Sequence, residues 1–443
     1  MRKVYIETLG CPKNQIDSEM MLGLLSRDQY GVAEFPEEAD VIIINTCGFI
    51  ESAKEESVLT ITEFLDLKTE GNCTTFIVAG CLVERYAEEL KKELPEVDIF
   101  IGTTKFPLIV QAIESHEQGH DPIVNIGDID ILIPENIPRI KTTPDYTSYL
   151  KISEGCDNNC TYCIIPQLRG KYRSRHFEDI ITEAKSLVSH GAKELIIIAQ
   201  DTIRYGKDIY GKNRLAELLS EICKIEDLQW VRLMYAYPDE INQDLVDTFA
   251  KEDKLINYID MPIQHASNTV LKRMNRRTSK EEIRHVVEMF RNKISDMVIR
   301  TTLIVGFPGE TEEEYNELYD FVKEIKFGRL GVFSYSQQNG TPAAKMKDQV
   351  DEDIKEERKN FILELQQGIS LDNNAKYMDQ TIEVLVEEQV DGEDVYLGRA
   401  SFDAPEIDGQ VYINTKENLI IGSIVKVEIN DYMEYDLIGG LKL

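Results

Sequence analysis

Within "KISEGCDNNCTYCIIPQLRG", residues 151–170, Cys156, Cys160 and Cys163 place three thiols in eight positions as CxxxCxxC. One tight loop with that spacing can aim three sulfurs at a single point. Structural zinc takes four ligands, and the nearest following histidine, His176, lies thirteen residues beyond Cys163. A fourth zinc ligand would have to come from elsewhere in the fold. A four-iron cluster held by three cysteines instead keeps one iron free for a small molecule.

Three more thiols end apolar runs: Cys11 follows "VYIETLG", Cys47 follows "VIIINT" and Cys81 follows "FIVAG". Such runs alternate here with amphipathic segments such as "SEMMLGLLSR" and "ESVLTITEFLDL". That alternation predicts a doubly wound parallel sheet. In such a sheet the three cysteines share the carboxyl edge, where open α/β sheets bind ligands. Cys73 precedes its strand and belongs at the opposite edge. Cys223, in "LAELLSEICKI", has the spacing of a helix's apolar face, where a free cysteine behaves as a small hydrophobe. Two three-cysteine sites at strand ends favour iron–sulfur clusters over zinc. His265 and the other histidines show no metal-like spacing.

The chain has 443 residues, and 49 Lys and Arg against 80 Asp and Glu give a formal net charge of −31. At roughly 150 residues per domain, about three domains are expected. No apolar run reaches the roughly 18 residues that a membrane span needs, and "MRKVYIETLG" reads as a strand and turn rather than a secretory signal. A cytoplasmic protein without a membrane partner is expected. Eight cysteines in that setting point to metal or chemistry rather than disulfides. The acidic balance disfavours nucleic acid, which is bound largely through cationic side chains, and suits a basic partner.

The fold class expected is α/β in three parts. Residues 1–117 form the doubly wound domain, and 118–141 a linker with one short strand, in a stretch punctuated by Pro122, Pro134, Pro138 and Pro144. Residues 142–373 carry six strand candidates, "YLKIS", "ELIIIAQD", "WVRLMYAY", "INYIDMPIQ", "VIRTTLIVG" and "LGVFSYSQ", with helices between them. They predict a partial (βα)6 barrel with its site at the carboxyl ends of the strands. Residues 374–443 hold four short strands, "TIEVLVEEQ", "VYLGRAS", "GQVYINT" and "GSIVKVEINDY", and predict a small all-β barrel.

The segments "TLGCPKNQIDSE", "INTCGFIESAKEES", "VAGCLVERY", "LKISEGCDNNCTYCIIPQLRGKYRSR", "MPIQHASNTVLKRMNR", "RTTLIVGFPGETEEEY" and "GVFSYSQQNGTPAAKM" resemble the radical S-adenosylmethionine (SAM) methylthiotransferases. The last barrel resembles the TRAM domain that ends these enzymes, so the resemblance covers nearly the whole chain. "GCPKN", "NTCGFI" and "GRASFDAPEIDGQVYI" look like the branch that modifies an aspartate of the twelfth small-subunit ribosomal protein. Two alternatives stand beside it: a tRNA adenosine methylthiotransferase, and a non-catalytic iron–sulfur carrier or sensor.

The resemblance implies two 4Fe–4S clusters. Cys156, Cys160 and Cys163 would hold the cluster whose open iron chelates SAM and cleaves it to a 5′-deoxyadenosyl radical. Cys11, Cys47 and Cys81 would hold an auxiliary cluster that carries the sulfur to be inserted. One SAM would methylate that sulfur, and a second would supply the radical that takes hydrogen from the aspartate β-carbon. No catalytic acid or base is implied, because the C–H bond breaks homolytically. Tyr162 resembles the residue that lies against the adenine, although a loop tyrosine also packs for ordinary reasons. Gln200 and Gln264, at the ends of the second and fourth barrel strands, are placed to meet polar groups of SAM. Gly306 lies in "VGFPGE", where glycine permits close backbone approach.

Implied partners are the ribosomal protein or the assembled small subunit, an electron donor such as flavodoxin or ferredoxin, and a sulfur source. Arg169, Lys171, Arg173 and Arg175 make a basic run beside the cysteine loop. Such runs usually form a solvated face, but this one could also offset cluster charge or guide a carboxylate. Residues 374–443 hold five basic side chains against fifteen acidic ones, so no tRNA partner is expected.

Overall fold

The computed structural model describes residues 2–120 and 123–442. Pro122 of the expected linker lies outside them. Six strands near the N-terminus, β1 (Lys3–Thr8), β2 (Gly31–Val32), β3 (Val41–Thr46), β4 (Thr75–Gly80), β5 (Ile99–Ile101) and β6 (Ile123–Asn125), form a parallel sheet in the order β2-β1-β3-β4-β5-β6. Every residue of β3 and β4 is buried. Helices cover both of their faces, and so the two strands read as unbroken apolar runs. The helix Pro12–Arg27 covers one face through Ile16, Met20 and Met21. The helices Glu51–Leu65 and Cys81–Glu93 cover the other through Ile61, Leu82 and Val83. The short strand expected in the linker is β6, and it pairs with β5 from Ile99 opposite Ile123.

The second sheet begins with β7 (Thr147–Lys151). A two-stranded antiparallel ribbon, β8 (Ser153–Glu154) and β9 (Arg173–Ser174), then brackets the CxxxCxxC loop. The remaining strands are β10 (Glu194–Ile198), β11 (Trp230–Leu233), β12 (Leu255–Asp260), β13 (Val298–Val305) and β14 (Arg329–Ser334). Together with β7 they make a six-stranded parallel sheet in the order β14-β13-β12-β11-β10-β7, the expected partial barrel. Alternation divides its faces. Leu195, Ile197, Val231, Leu233, Ile259 and Ile299 join the core with the helices. Tyr149, Ile196, Ile198, Trp230 and Tyr258 share a separate core with the N-terminal helix residues Ile16 and Met20 and with Leu385 and Ala404 from the end of the chain. Among the described residues, no helix is long and apolar enough to cross a membrane.

The helix Glu352–Asn374 leads into β15 (Thr381–Gln389), β16 (Val395–Ala400), β17 (Val411–Asn414), β18 (Ile424–Tyr432) and β19 (Leu437–Leu441), a closed barrel in the order β15-β16-β17-β19-β18. The last strand, "LIGGL", was not expected from the sequence, since paired glycines weaken a strand signal. A side chain on Gly439 would come within 2.5 Å of the Glu428 carbonyl oxygen, so glycine is what lets β19 close the barrel. Buried ion pairs dock this barrel on the partial barrel. Arg399 donates to Glu194 at the amino end of β10, and Arg232 donates to the same carboxylate at 2.8 Å. Arg329 holds Asp403 at 2.7 Å, and the Tyr258 hydroxyl donates to Asp408 at 2.7 Å.

Breaking a buried pair from one side strands the other charge, at about 3–5 kcal/mol. Arg399→Met should therefore lower stability by about that much in a urea titration. Lys416→Met, at an exposed position, should change it by no more than about 0.5 kcal/mol. Equal effects from the two would refute the docking role.

Candidate active site

Three adjacent strands deliver the N-terminal thiols. In the β1-β3-β4 run, Thr8 lies opposite Asn45 and Thr46 opposite Gly80, so the strands end nearly flush. Cys11 caps the helix Pro12–Arg27, Cys47 follows β3, and Cys81 opens the helix Cys81–Glu93. Each loop is pressed against the next. A Cβ on Gly10, whose φ is +90°, would stand 2.8 Å from Cys47 Cβ and 3.1 Å from its Sγ. A Cβ on Gly48 would stand 2.9 Å from the Cys81 carbonyl oxygen. Asn14 ties the loops from below: its Nδ2 donates to the carbonyls of Leu9 at 3.0 Å and Thr46 at 2.9 Å. Its Oδ1 lies 3.8 Å from Cys81 Sγ. Cys73 and Cys223 are buried elsewhere, and Cys73 Sγ faces the Thr75 carbonyl at the amino end of β4.

The second thiol group is local. The Cys156 N–H donates to the Gly170 carbonyl at 3.1 Å and the Cys163 N–H to the Cys160 carbonyl at 3.0 Å, while Thr161 is anchored through its N–H to Met274 and its hydroxyl to Arg273. Burial pushes the Cys81 and Cys156 thiols up to about 12 and the Cys163 thiol higher still. These thiols are protonated at neutral pH until a metal displaces the protons. Among the described residues, no three Cys, His, Asp or Glu side chains close around a single ion.

The two thiol groups face each other across a buried ionic network. Arg169 Nη1 donates to Asp17 at 2.6 Å, and Nη2 donates to Asn14 Oδ1. Lys151 Nζ donates to Asp17 and to Glu154, both at 2.8 Å. Burial by itself would raise the Glu154 carboxyl, but Lys151 and Arg169 hold it down near 2. Cys81 packs against Ile164 and Leu168 of the cysteine loop, and Arg85 donates to the Gly48 carbonyl at 3.0 Å and to Gln338 at 2.9 Å. The basic run is thus not a solvated face. Arg169 is buried, Arg175 pairs with Glu135 and Glu183 at 2.7 Å, Arg173 reaches Asp130 at 3.5 Å, and Lys171 is the exposed member.

The four expected SAM-contact residues occupy different settings. Gln200 Nε2 donates to Glu154 at 2.6 Å, leaving its Oε1 buried without a hydrogen-bond partner among the described residues. Tyr162 packs on the cluster of Val270, Met274 and Phe307, and its hydroxyl accepts from Arg276 at 3.4 Å. Gln264 has a φ of +70° and pairs through its backbone with Thr302 and Ile304 of β13. Gly306 has a packing reason of its own: with φ at +69°, its Cβ would fall 2.2 Å from Lys355 Cγ. His265 is fully buried and accepts from the Ser267 N–H through Nδ1 at 2.9 Å, with its Nε2 3.4 Å from a Glu310 carboxylate oxygen.

Two cations at this edge were not singled out from sequence. Arg276 donates to the Pro262 carbonyl at 2.6 Å and stacks 3.9 Å over Tyr237. Lys13 lies 3.0 Å over Tyr235, and burial pulls its ammonium down to about 8. Both stand in segments carrying the family resemblance, "MNRR" and "CPKN", but long cations are solvent-facing by default.

Models of three protein families match the chain: an uncharacterized protein family, UPF0004, over residues 3–102, the radical SAM superfamily over 150–322, and the TRAM domain over 380–441. A protein of Clostridioides difficile (strain 630) named ribosomal protein uS12 methylthiotransferase RimO is 52% identical over 99% of this chain and 98% of its own length. One of the same name from Desulforamulus reducens is 48% identical over the whole of both chains. The chain belongs to the radical SAM methylthiotransferase family, on its RimO-type branch.

Membership makes the chain an enzyme working with SAM and an iron–sulfur cluster. A solved radical SAM methyltransferase, TsrM of Kitasatospora setae with cobalamin and a [4Fe-4S] cluster bound, shares the fold at a TM-score of 0.55 and 14% identity, over 77% of each chain.

The glycine contacts generate a direct test of the N-terminal thiol group. Gly10→Ala should lower the iron taken up on anaerobic reconstitution, since the added methyl would push Cys47 out of the N-terminal thiol group. Gly119→Ala also places alanine at positive φ but meets nothing within 4 Å, and it should leave the iron content unchanged. Full iron in Gly10→Ala would show that Cys47 is no ligand or that the loop yields.

Proposed function

We propose that this enzyme places a methylthio group on the β-carbon of an aspartate in ribosomal protein uS12, using two SAM molecules and two 4Fe–4S clusters. The observation that carries the reading is the facing of two three-thiol groups across one buried network, in a chain about half identical over its full length to enzymes named for uS12.

Cys156, Cys160 and Cys163 would hold one cluster, and Cys11, Cys47 and Cys81 the other. When bound, the clusters supply the electron that cleaves SAM and the site that carries the sulfur. The protein's own share is positioning and exclusion of water. Gln200, fixed through Nε2 to Glu154, offers its unpartnered Oε1 to the SAM amino group. Tyr162 flanks the adenine, while Gln264 and the backbone at Gly306 close the far side at the ends of β12 and β13. The contact of Cys81 with Ile164 and Leu168 walls the space between the two groups.

The terminal barrel supports a basic protein as substrate over tRNA. Of its five basic side chains, Arg399 is buried against Glu194, so the exposed face is still more acidic than composition suggests. Such a face repels phosphate and attracts a cationic protein. The remaining partners are an electron donor such as flavodoxin or ferredoxin and a sulfur source, in the cytoplasm.

Anaerobic reconstitution should load about eight irons per chain. Alanine at Cys156, Cys160 or Cys163 should abolish SAM cleavage, and alanine at Cys11, Cys47 or Cys81 should spare uncoupled cleavage but stop sulfur insertion. Cys73→Ala and Cys223→Ala should retain activity. The substrate is tested by offering reconstituted enzyme both unmodified tRNA and uS12, free or in the small subunit, and reading the products by mass spectrometry. Methylthio groups on tRNA adenosine, with none on uS12, would refute the assignment.

A further inference from the structure

Lys13 is a buried cation with no carboxylate partner among the described residues, although Cys11 stands nearby. It is 6% exposed, at the start of the helix Pro12–Arg27, two residues after Cys11. Its Nζ lies 3.0 Å from the centre of the Tyr235 ring, just past the carboxyl end of β11. Among the described residues, no carboxylate lies within ion-pairing distance of it. Each carboxylate around it serves another cation: Asp17 pairs with Lys151 and Arg169, Glu154 with Lys151, and Asp260 with Arg300 at 2.9 Å. An aromatic face offsets only part of the desolvation of an ammonium.

We propose that Lys13 binds the side-chain carboxylate of the substrate aspartate and so holds its β-carbon between the two thiol groups. The proposal rests on the uS12 reading and deepens it. An anion with no partner of its own is what this position lacks, and the substrate class brings one. SAM also carries a carboxylate, but Lys13 belongs to the N-terminal thiol group. Arg276, beside Tyr162, is the cation on the other side. The loss of one partner from a desolvated charge pair shows mainly as faster release of the ligand.

The test is a double-mutant cycle on the reconstituted holoenzyme. Wild type, Lys13→Met and Lys13→Arg are each titrated with uS12 and with uS12 carrying asparagine at the target position, alongside SAM affinity and iron content. Wild type should bind the aspartate form roughly tenfold or more tighter than the asparagine form. In Lys13→Met that ratio should fall to about one, and Lys13→Arg should restore part of it, all with iron near the wild-type level. An unchanged ratio in Lys13→Met overturns the proposal. So does a loss of SAM affinity exceeding the change in ratio, which would assign the ammonium to the SAM carboxylate. Loss of half the iron overturns it in favour of an ammonium that only offsets cluster charge. Wild-type enzyme that binds neither form of uS12 would overturn the substrate reading itself, a result distinct from the other three.

Discussion

Arg169 is 3% exposed, and its burial sets how the two parallel sheets of this protein meet. A guanidinium taken out of water is tolerable only if its donors are met by charge and hydrogen bonds. Asp17 and Asn14 meet them from the N-terminal domain. Lys151 and Glu154 extend the pairing into the partial barrel. The pairing fails if either domain moves by an ångström or two. Charge satisfaction therefore locks the carboxyl edge of one sheet over the carboxyl edge of the other. Each edge carries three thiols, and the lock decides that they face each other.

At the other end of the partial barrel the same rule operates with different residues. Glu194 at the foot of β10 takes Arg232 from its own sheet and Arg399 from the terminal barrel, while Asp403 and Asp408 enter beside Arg329 and Tyr258. The terminal barrel thus plugs the amino end, and the N-terminal domain covers the carboxyl end. What lies between is partly covered on both sides, with Cys81 and Cys160 buried and Cys11 exposed. Lys13 is the exception in this arrangement. Every other buried cation named at the covered end has a carboxylate or a backbone carbonyl, and Lys13 has an aromatic face.

Much of the fold was legible because buried parallel strands announce themselves as apolar runs. "VIIINT" and "ELIIIAQ" leave few alternatives, and a cysteine directly after such a run has its sheet edge assigned by chain direction alone. The local spacing of Cys156, Cys160 and Cys163 needs no tertiary information, since eight residues close on themselves. Where the signal was weak, the reasons are equally physical. β2 has two residues, too few for any period. β19 contains Gly439 and Gly440, whose value lies in the space they leave for Glu428 and not in any propensity of their own.

By itself, then, the sequence determined the three-part α/β architecture and the family, and it marked six cysteines as candidate ligands, because each follows from period, spacing or motif along the chain. Only the tertiary structure decided what the charged side chains do. Arg169 and Arg175 sit in a run that looks solvated, and Lys13 in one that looks like an ordinary helix start. The roles of Arg169 and Lys13 depend on partners more than a hundred residues away, Asp17 and Tyr235, and that of Arg175 on Glu135 and Glu183. A long cation carries no mark of burial in its own neighbourhood. Whether it meets water, a carboxylate or a ring is settled by which surfaces the fold brings together.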